Sequence, residues 1–433
     1  MELQEAPEAN QPRPVRLAPP PPPDHIVYLR CGALWDGKSD RLQQNVFVQI
    51  QGQRIAAIPA SAPGGAEVID LSSETCLPGL IDTHTHVYLQ GDRKPGQYDA
   101  QLLKQSVAYR AIEATTAARA ALNWGFTAIR DLETEGAGYA DVDIRNAINR
   151  GVVPGPHMKV VGRAMDVTGA YPLQPGYAWD IRVPIGVQTV DGVEDARRAV
   201  REQIGYGADW IKIYSDRGNF IQPNGVIEDI PTFTLDETRA IVDETHRQRH
   251  KVAAHATGHQ GVHVAVEAGV DSIEHGNYMA AEDIRTMAQR GIYYVPTLFV
   301  AQYDSELRSA QTHAPPQETY PSTQGMRIHC DTFKRALDGG VKIAFGTDAG
   351  AFEWDVNPAR EFALMVKCGM SPLQALRSAT TVAAELMDMQ KDIGTLEPQK
   401  FADIVAVPGN PLTDVTVLEK VGFVMKGGIV WKK

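Results

Sequence analysis

Five side chains in this sequence combine a common position with a common chemistry. His84 and His86 close the run Leu80-Ile81-Asp82-Thr83-His84-Thr85-His86, and His255 follows Lys251-Val252-Ala253-Ala254. His275 follows Asp271-Ser272-Ile273-Glu274, and Asp348 follows Ile343-Ala344-Phe345-Gly346-Thr347. Each run is short and strand-like, so all five sit at strand ends. The i, i+2 spacing places His84 and His86 on one face of their strand, where they can share an ion. Imidazole with carboxylate is the donor set of borderline divalent metals such as zinc or manganese. The His-x-His pair alone says little, because twelve histidines in 433 residues give about 0.3 such pairs by chance. Taken singly, the others read as hydrogen-bonded histidines or a helix-capping aspartate. Together they read as a metal centre.

Lys212 belongs with them. It interrupts Trp210-Ile211-Lys212-Ile213-Tyr214, where alternation sends Ile211 and Ile213 to one face and Trp210, Lys212 and Tyr214 to the other. A free ammonium facing a core is costly and rarely left unpaired. It is either paired with a carboxylate such as Asp348 or neutralised. As a neutral amine it can take up CO₂, and the two oxygens of the resulting carbamate can bridge two metals.

The elements that must position these groups come in two kinds. From 77 to 393, strand-like segments at 79–83, 126–132, 158–162, 210–214, 251–254, 272–274, 292–296 and 342–345 alternate with helical patterns such as 193–205, 235–249 and 280–290. Eight strands alternating with helices predict an α/β fold, a (β/α)₈ TIM barrel, with catalytic groups at the C-terminal strand ends. The competing doubly wound sheet announces itself with a Gly-rich phosphate loop, and neither GxGxxG nor GxxxxGK[ST] occurs. Residues 25–76 and 394–433 are strand-rich and are expected to pair into one small β-sandwich domain. Residues 1–24 hold eight of the 28 prolines and read as a flexible tail.

The net charge of −11 opposes nucleic-acid or anionic-membrane partners. The best apolar run, 291–301, is far too short for a membrane span. Cys31, Cys76, Cys330 and Cys368 are widely spaced, and a reducing compartment or two thiol pairs fit equally well. Location therefore stays open: cytoplasmic, or periplasmic or secreted if the proline-rich lead follows a removed signal. His246 and His250 fall i, i+4 on a predicted helix, but at its basic, solvated end, which opposes a metal pair.

The segments Leu77-Pro78-Gly79-Leu80-Ile81-Asp82-Thr83-His84-Thr85-His86, Ala254-His255-Ala256, Ser272-Ile273-Glu274-His275-Gly276 and Gly346-Thr347-Asp348-Ala349-Gly350, with strand-borne Lys212, resemble the amidohydrolase superfamily. Within it they are most similar to the imidazolonepropionase-related branch, with its prolidase-type dipeptidases and N-acyl-amino-acid hydrolases of the carboxypeptidase-like and ochratoxin types. The resemblance runs from about residue 26 to 433. It implies a distorted barrel, a sandwich built from both chain ends, and two divalent metal ions, zinc first with manganese or cobalt as alternatives. His84, His86 and Asp348 would hold one metal, His255 and His275 the other, and carboxylated Lys212 would bridge them. Two departures stand out. Tyr171, in Thr168-Gly169-Ala170-Tyr171-Pro172, occupies a loop where relatives often carry a substrate-touching histidine, and Pro398-Gln399-Lys400 replaces a Pro-Gly-Lys turn.

The expected reaction is hydrolysis of the amide bond of a small-molecule or dipeptide substrate, an N-acyl amino acid included, with a free C-terminal carboxylate. Asp348 moves the proton and Tyr214 hydrogen bonds the oxyanion or the carboxylate. Tyr171, Tyr177, Tyr214 and Tyr278 would line an apolar substrate wall, and Arg217 or His259 would receive the carboxylate. Hydrolysis or deamination of a cyclic amide or heterocycle is the alternative, against which Lys212 argues. A non-enzymatic metal store or scaffold is the third reading. Barrel hydrolases of this kind self-associate, so a homo-oligomer is expected.

Overall fold

A computed structural model of the chain describes residues 15–171, 178, 180–312 and 322–433. The first fourteen residues of the proline-rich lead, and Tyr177, lie outside them. Strands β1 (Ile26–Leu34), β2 (Gln43–Gln51), β3 (Arg54–Ala57) and β4 (Val68–Pro78) open the fold. β4 runs almost unbroken into β5 (Leu80–Thr85), which belongs to a different sheet. Gly79 makes that passage possible, since a Cβ there would stand 2.0 Å from Thr127 Oγ1. Next come β6 (Phe126–Asp131), β7 (His157–Val160), β8 (Met165–Asp166), β9 (Gln188–Thr189) and β10 (Trp210–Tyr214). A hairpin of β11 (Asp216–Ile221) and β12 (Ile227–Pro231) follows, then β13 (Lys251–Ala256), β14 (Ser272–His275) and β15 (Tyr293–Val295). The chain closes on β16 (Ile404–Pro408), β17 (Phe423–Lys426) and β18 (Ile429–Lys432).

β5, β6 and β7 pair in parallel, as do β8, β10, β13, β14 and β15. The strand expected at 158–162 is observed as β7, which ends at Val160 and pairs with β6, while a separate short β8 beyond the turn at Gly162 pairs with β10. Asp209 N–H donates to Val160 O at 2.7 Å, bringing the approach to β10 against the end of β7. The segment expected at 342–345 closes the other side through single contacts: Tyr294 bridges Ile343, and Thr83 N–H donates to Phe345 O at 2.9 Å. The outcome is a TIM-barrel-like domain of mixed α/β content. Helices such as Val193–Gly205, Leu235–Arg247, His259–Ala268 and Ala281–Arg290 follow its strands. Ile211, Ile213, Val252 and Ile273 pack in the large core shared with these helices, while Trp210, Ala253, Val295 and Ala344 form a separate inner cluster. Period-two alternation on strands buried on both faces dictates that split.

Both chain ends meet in one seven-stranded sheet, ordered β18-β17-β16-β4-β1-β2-β3, with β16 antiparallel to β4. Its core, including Leu29, Val48, Ile404 and Phe423, is distinct from that of the barrel. Residues just before β1 lie on the barrel surface, where Ala18 N–H donates to Gly151 O at 3.0 Å. Among the described residues no helix is long and apolar enough to cross a membrane.

The four cysteines, whose state the sequence left open, form two disulfides. Cys31–Cys76 ties β1 to β4, and Cys330–Cys368 ties helix Ser322–Asp338 to the residue that ends helix Arg360–Lys367. Peptide mapping without reduction is expected to recover these two pairs and no free thiol. Replacing Cys31 and Cys76 together by serine should lower stability by about 2–4 kcal/mol, read by denaturant unfolding, because a 45-residue loop is released in the unfolded chain.

Candidate active site

The end of β5 delivers His84 and His86 to the interior, both almost fully buried. Their Nε2 atoms stand 3.3 Å apart and face the same Asp348 Oδ1, at 3.5 and 3.2 Å. Asp82 ties the two chain segments together. It accepts the His84 N–H at 3.1 Å, the Thr347 N–H at 3.1 Å and the Thr347 hydroxyl at 2.5 Å. Close approach requires glycine beside Asp348, because a Cβ on Gly346 would meet His84 Cβ at 2.9 Å. His275 ends β14, its ring 4.8 Å from that of His84 and 4.6 Å from that of His255. His84, His275 and Asp348 each offer one ligand atom, all within 4.8 Å of one another. Lys212 lines the same cavity at 1% exposure, and among the described residues no hydrogen bond or ion pair holds its amine. The pairing with Asp348 that the sequence allowed is not formed.

Backbone strain gathers here. Glu135, His275, Thr297 and Asp348 are left-handed non-glycine residues, and all four line the cavity. Such conformations persist where the surroundings over-determine them, and they mark functional walls.

Burial and the charge of Lys212 push His84 down to about 4, so at neutral pH it is the neutral imidazole that metals require. Burial and the neighbouring imidazole of His255 likewise push His275 well down. Burial alone would raise Asp348, but the hydrogen bond with His86 and the surrounding imidazoles hold it well below the usual carboxylate range. Burial lowers Lys212, against the pull of Glu274, Glu133 and Asp348.

These donors fit divalent cations. His84 Nδ1 bonds to Glu274 Oε2 at 2.9 Å and His275 Nδ1 to Thr297 Oγ1 at 2.8 Å, which leaves each Nε2 free as a donor. Such outer partners fix tautomer and ring orientation. His86 Nδ1 is buried without a partner, which leaves that imidazole without an outer contact.

The cavity holds about 400 Å³ and contains all six predicted metal-ligand residues. Tyr171, Tyr214 and Arg217 line it as well. The Tyr214 hydroxyl donates to Glu133 at 2.6 Å, so as placed it offers the cavity a ring face and an oxygen. Arg217 stands exposed at the rim, donating to Gly169 O at 3.2 Å. His259 and Tyr278 are not brought to this wall. Their rings meet edge to face at 5.9 Å, where His259 opens its own helix beside Glu228. The helix predicted to 249 ends at Arg247, so His246 and His250 share no helical face; they bond separately to Asp271 and to Asp209 O.

Sequence reasoning missed Arg93, Arg130, Glu133, Glu135 and Glu274. Arg93 Nη2 lies 3.3 Å from Asp348 Oδ2 and also engages Asp92 and Asp304. Arg130 bonds to Glu274 at 2.8 Å with both side chains at 0% exposure. Burial, and then the adjacent Glu135, raise Glu133 well above the carboxylate range. Arg130 and Glu274 carried the signal that revealed Lys212, a charge at an inward position of a strand. Arg93, Glu133 and Glu135 lie in loops, where no periodicity applies.

Residues 75–430 match the Amidohydrolase family. The chain belongs to the amidohydrolase family. It is 30% identical to ochratoxinase of Aspergillus niger, over 94% of this chain and 87% of that protein. It is 25% identical to imidazolonepropionase of Streptomyces avermitilis, over 84% of this chain and 80% of that protein. Among solved structures, a Xaa-Pro dipeptidase with methionine bound in its active site superposes with TM-score 0.83 at 34% identity, covering 94% of this chain and all of that one. As an amidohydrolase with these relatives, the protein is a hydrolase acting on amide bonds, in a family that is generally metal-dependent.

Glu274→Gln tests the outer support of the site. It should weaken metal affinity about 10–100-fold in a competition titration. It should also cost about 3–5 kcal/mol in stability, because Arg130 is left buried without its counter-charge.

Proposed function

We propose that the chain is a binuclear metal-dependent hydrolase, on a distorted (β/α)₈ barrel with a β-sandwich from 25–76 and 394–433. It cleaves the amide bond of dipeptides or N-acyl amino acids that carry a free C-terminal carboxylate. The observation that carries this reading is Lys212, a buried amine with no hydrogen bond or ion pair among the described residues, in one cavity with the four ligand histidines and Asp348. His84, His86 and Asp348 would hold one ion and His255 and His275 the other, with carboxylated Lys212 between them. The nitrogen and oxygen donors suit zinc, with manganese or cobalt as alternatives. Bound there, the ions would acidify water and polarise the scissile carbonyl.

The chain's own groups do the rest. Asp348 turns Oδ1 to the imidazoles and Oδ2 to Arg93, and it stays ionised, so it can accept a proton from water and return it to the leaving nitrogen. Arg217 at the rim, with one neutral hydrogen bond, receives the substrate carboxylate as a charge-assisted pair. Tyr171 and Tyr214, with ring centroids 4.8 Å apart, pack the substrate side chain. The likeness to a Xaa-Pro dipeptidase supports a dipeptide. The imidazolonepropionase relative supports cyclic-amide hydrolysis as the alternative.

A screen of dipeptides, N-acyl amino acids and cyclic amides with added zinc, manganese or cobalt separates the two. Chelation should abolish turnover and metal return should restore it. Capping the substrate carboxylate as an amide should lower kcat/KM; equal values for free and capped substrates would remove the carboxylate requirement. Asp348→Asn should lose about 10²–10⁴-fold in kcat. Near-normal kcat with full metal content would place the proton transfer elsewhere. Lys212→Ala should lose metal and nearly all activity, with part regained in acetate or propionate. Lys212→Arg should regain none, because a guanidinium stays charged and cannot take up CO₂. Full metal occupancy in Lys212→Ala, measured by elemental analysis, would refute the bridge.

A further inference from the structure

The turn that ends β14 is held from behind by an imidazole. His275 and Gly276 are successive left-handed residues, at φ 70° and 51°. A β-carbon makes that conformation costly at His275. The cheaper backbone is the extended one of the strand it closes, which would turn its ring away from those of His84 and His255. The bond between His275 Nδ1 and Thr297 Oγ1 fixes how the ring is rotated, but it does not fix the backbone.

His329 supplies that hold. It projects from helix Ser322–Asp338, is 1% exposed and lines the cavity. Its Nε2 lies 2.8 Å from the His275 carbonyl oxygen and 3.0 Å from the Tyr294 hydroxyl, which in turn donates to Gly276 O at 3.2 Å. A carbonyl only accepts, so Nε2 carries the hydrogen. Nδ1 is then the bare nitrogen, 3.4 Å from Asn277 Nδ2, in the neutral ring that burial favours. The Pro296 carbonyl, beside Thr297, faces the same ring. The helix itself is docked by other means: Arg335 donates to Met279 O at 2.9 Å, and Cys330 is bonded to Cys368. Docking alone would be served by an apolar side chain at this position, because a polar ring must be desolvated to be buried. What an apolar side chain lacks is the donor to the His275 carbonyl.

We propose that His329 is a positioning residue of the metal site: through its Nε2–H it locks the left-handed turn at His275 and so places that ligand for its ion. The inference rests on the metal-site reading above. It assigns to the helix that follows β15 a part in the site that none of the ligand motifs reveals.

Two amide side chains of different reach test it on the full chain. The Nε2 of a glutamine can stand where the imidazole Nε2 does, whereas an asparagine is too short to reach the His275 carbonyl. Titration with cobalt, followed by visible absorption and elemental analysis, reads the affinity and geometry of each ion without turnover. His329→Asn should weaken the ion held by His275 about 10–100-fold and alter the cobalt spectrum. His329→Gln should keep both close to the wild type. Arg335→Met, which cuts the helix's bond to Met279 O, should also leave them in place. Wild-type affinity and spectrum in His329→Asn overturn the proposal. So does a loss in His329→Gln as large as in His329→Asn, or a matching loss in Arg335→Met, since helix docking would then explain the effect. If the wild type takes up fewer than two ions, the binuclear reading falls by itself. On a single ion the same contrast between asparagine and glutamine supports the proposal; no contrast, or no ion bound at all, overturns it.

Discussion

The site depends on an arginine buried beneath it. Arg130 points from β6 into the barrel with no exposure, its Nε donating to Thr83 O of β5 at 2.7 Å and its Nη1 to Ser272 Oγ of β14 at 3.2 Å. Its Nη2 meets Glu274 Oε1, and the other oxygen of Glu274 holds His84 Nδ1. The ring of Trp210, from β10, lies 4.5 Å from its guanidinium carbon. One side chain therefore keys four strands and, through one carboxylate, sets the tautomer of a ligand histidine. A buried ion pair of this kind contributes little net stability compared with an apolar filling, but losing either partner strands a charge. Its value here is orientation: Glu274 fixes which nitrogen of His84 faces the cavity.

The same logic extends outward through the terminal sheet. Asp403, at the start of β16, accepts the Gly79 N–H through its carbonyl at 2.9 Å and the Gly427 N–H through Oδ1 at 2.8 Å, and its Oδ2 lies 3.1 Å from His157 Nε2 on β7. The junction that starts β5 is thereby braced by residues more than 300 positions away. Cys31–Cys76 fastens the strands just upstream. The sheet from both chain ends thus anchors the strand that carries His84 and His86.

How much of this the sequence made legible follows from the kind of order each part has. Strands buried on both faces have no polar alternation to blur them, so 126–132, 210–214 and 251–254 fell close to the observed bounds, and Lys212 stood out as the charge that did not belong. Arg130 breaks the same rule in Phe126-Thr127-Ala128-Ile129-Arg130-Asp131, but it stands outside every motif that marks the ligands. The metal-ligand candidates were readable because strand ends convert sequence position into place. Loop residues have no such conversion. Arg217 and His259 both follow barrel strands, yet a hairpin carries one to the rim while a helix start turns the other toward Tyr278. The cysteine pairs, 45 and 38 residues apart, depend on sheet and helix packing that spacing does not encode.

The buried charges also bear on the state of Lys212. Arg130 and Glu274 neutralise one another in the barrel interior, and Arg93 pairs with Asp348, Asp92 and Asp304, which leaves Lys212 as the inward cation beside the ligand cluster. An ammonium at Lys212 would set a positive charge against the divalent ions that Asp348 would help to hold. With a carbamate the same position contributes a negative charge, so both side chains oppose the metals. Burial already weakens the ammonium against the pull of Glu274, Glu133 and Asp348, and among the described residues no carboxylate forms an ion pair with it. A lysine meant to remain charged would be expected to have a partner as close as Arg130 has in Glu274. The contrast between these two inward cations, one fully paired and one left open beside the ligand cluster, is the physical case for reading Lys212 as part of the metal site.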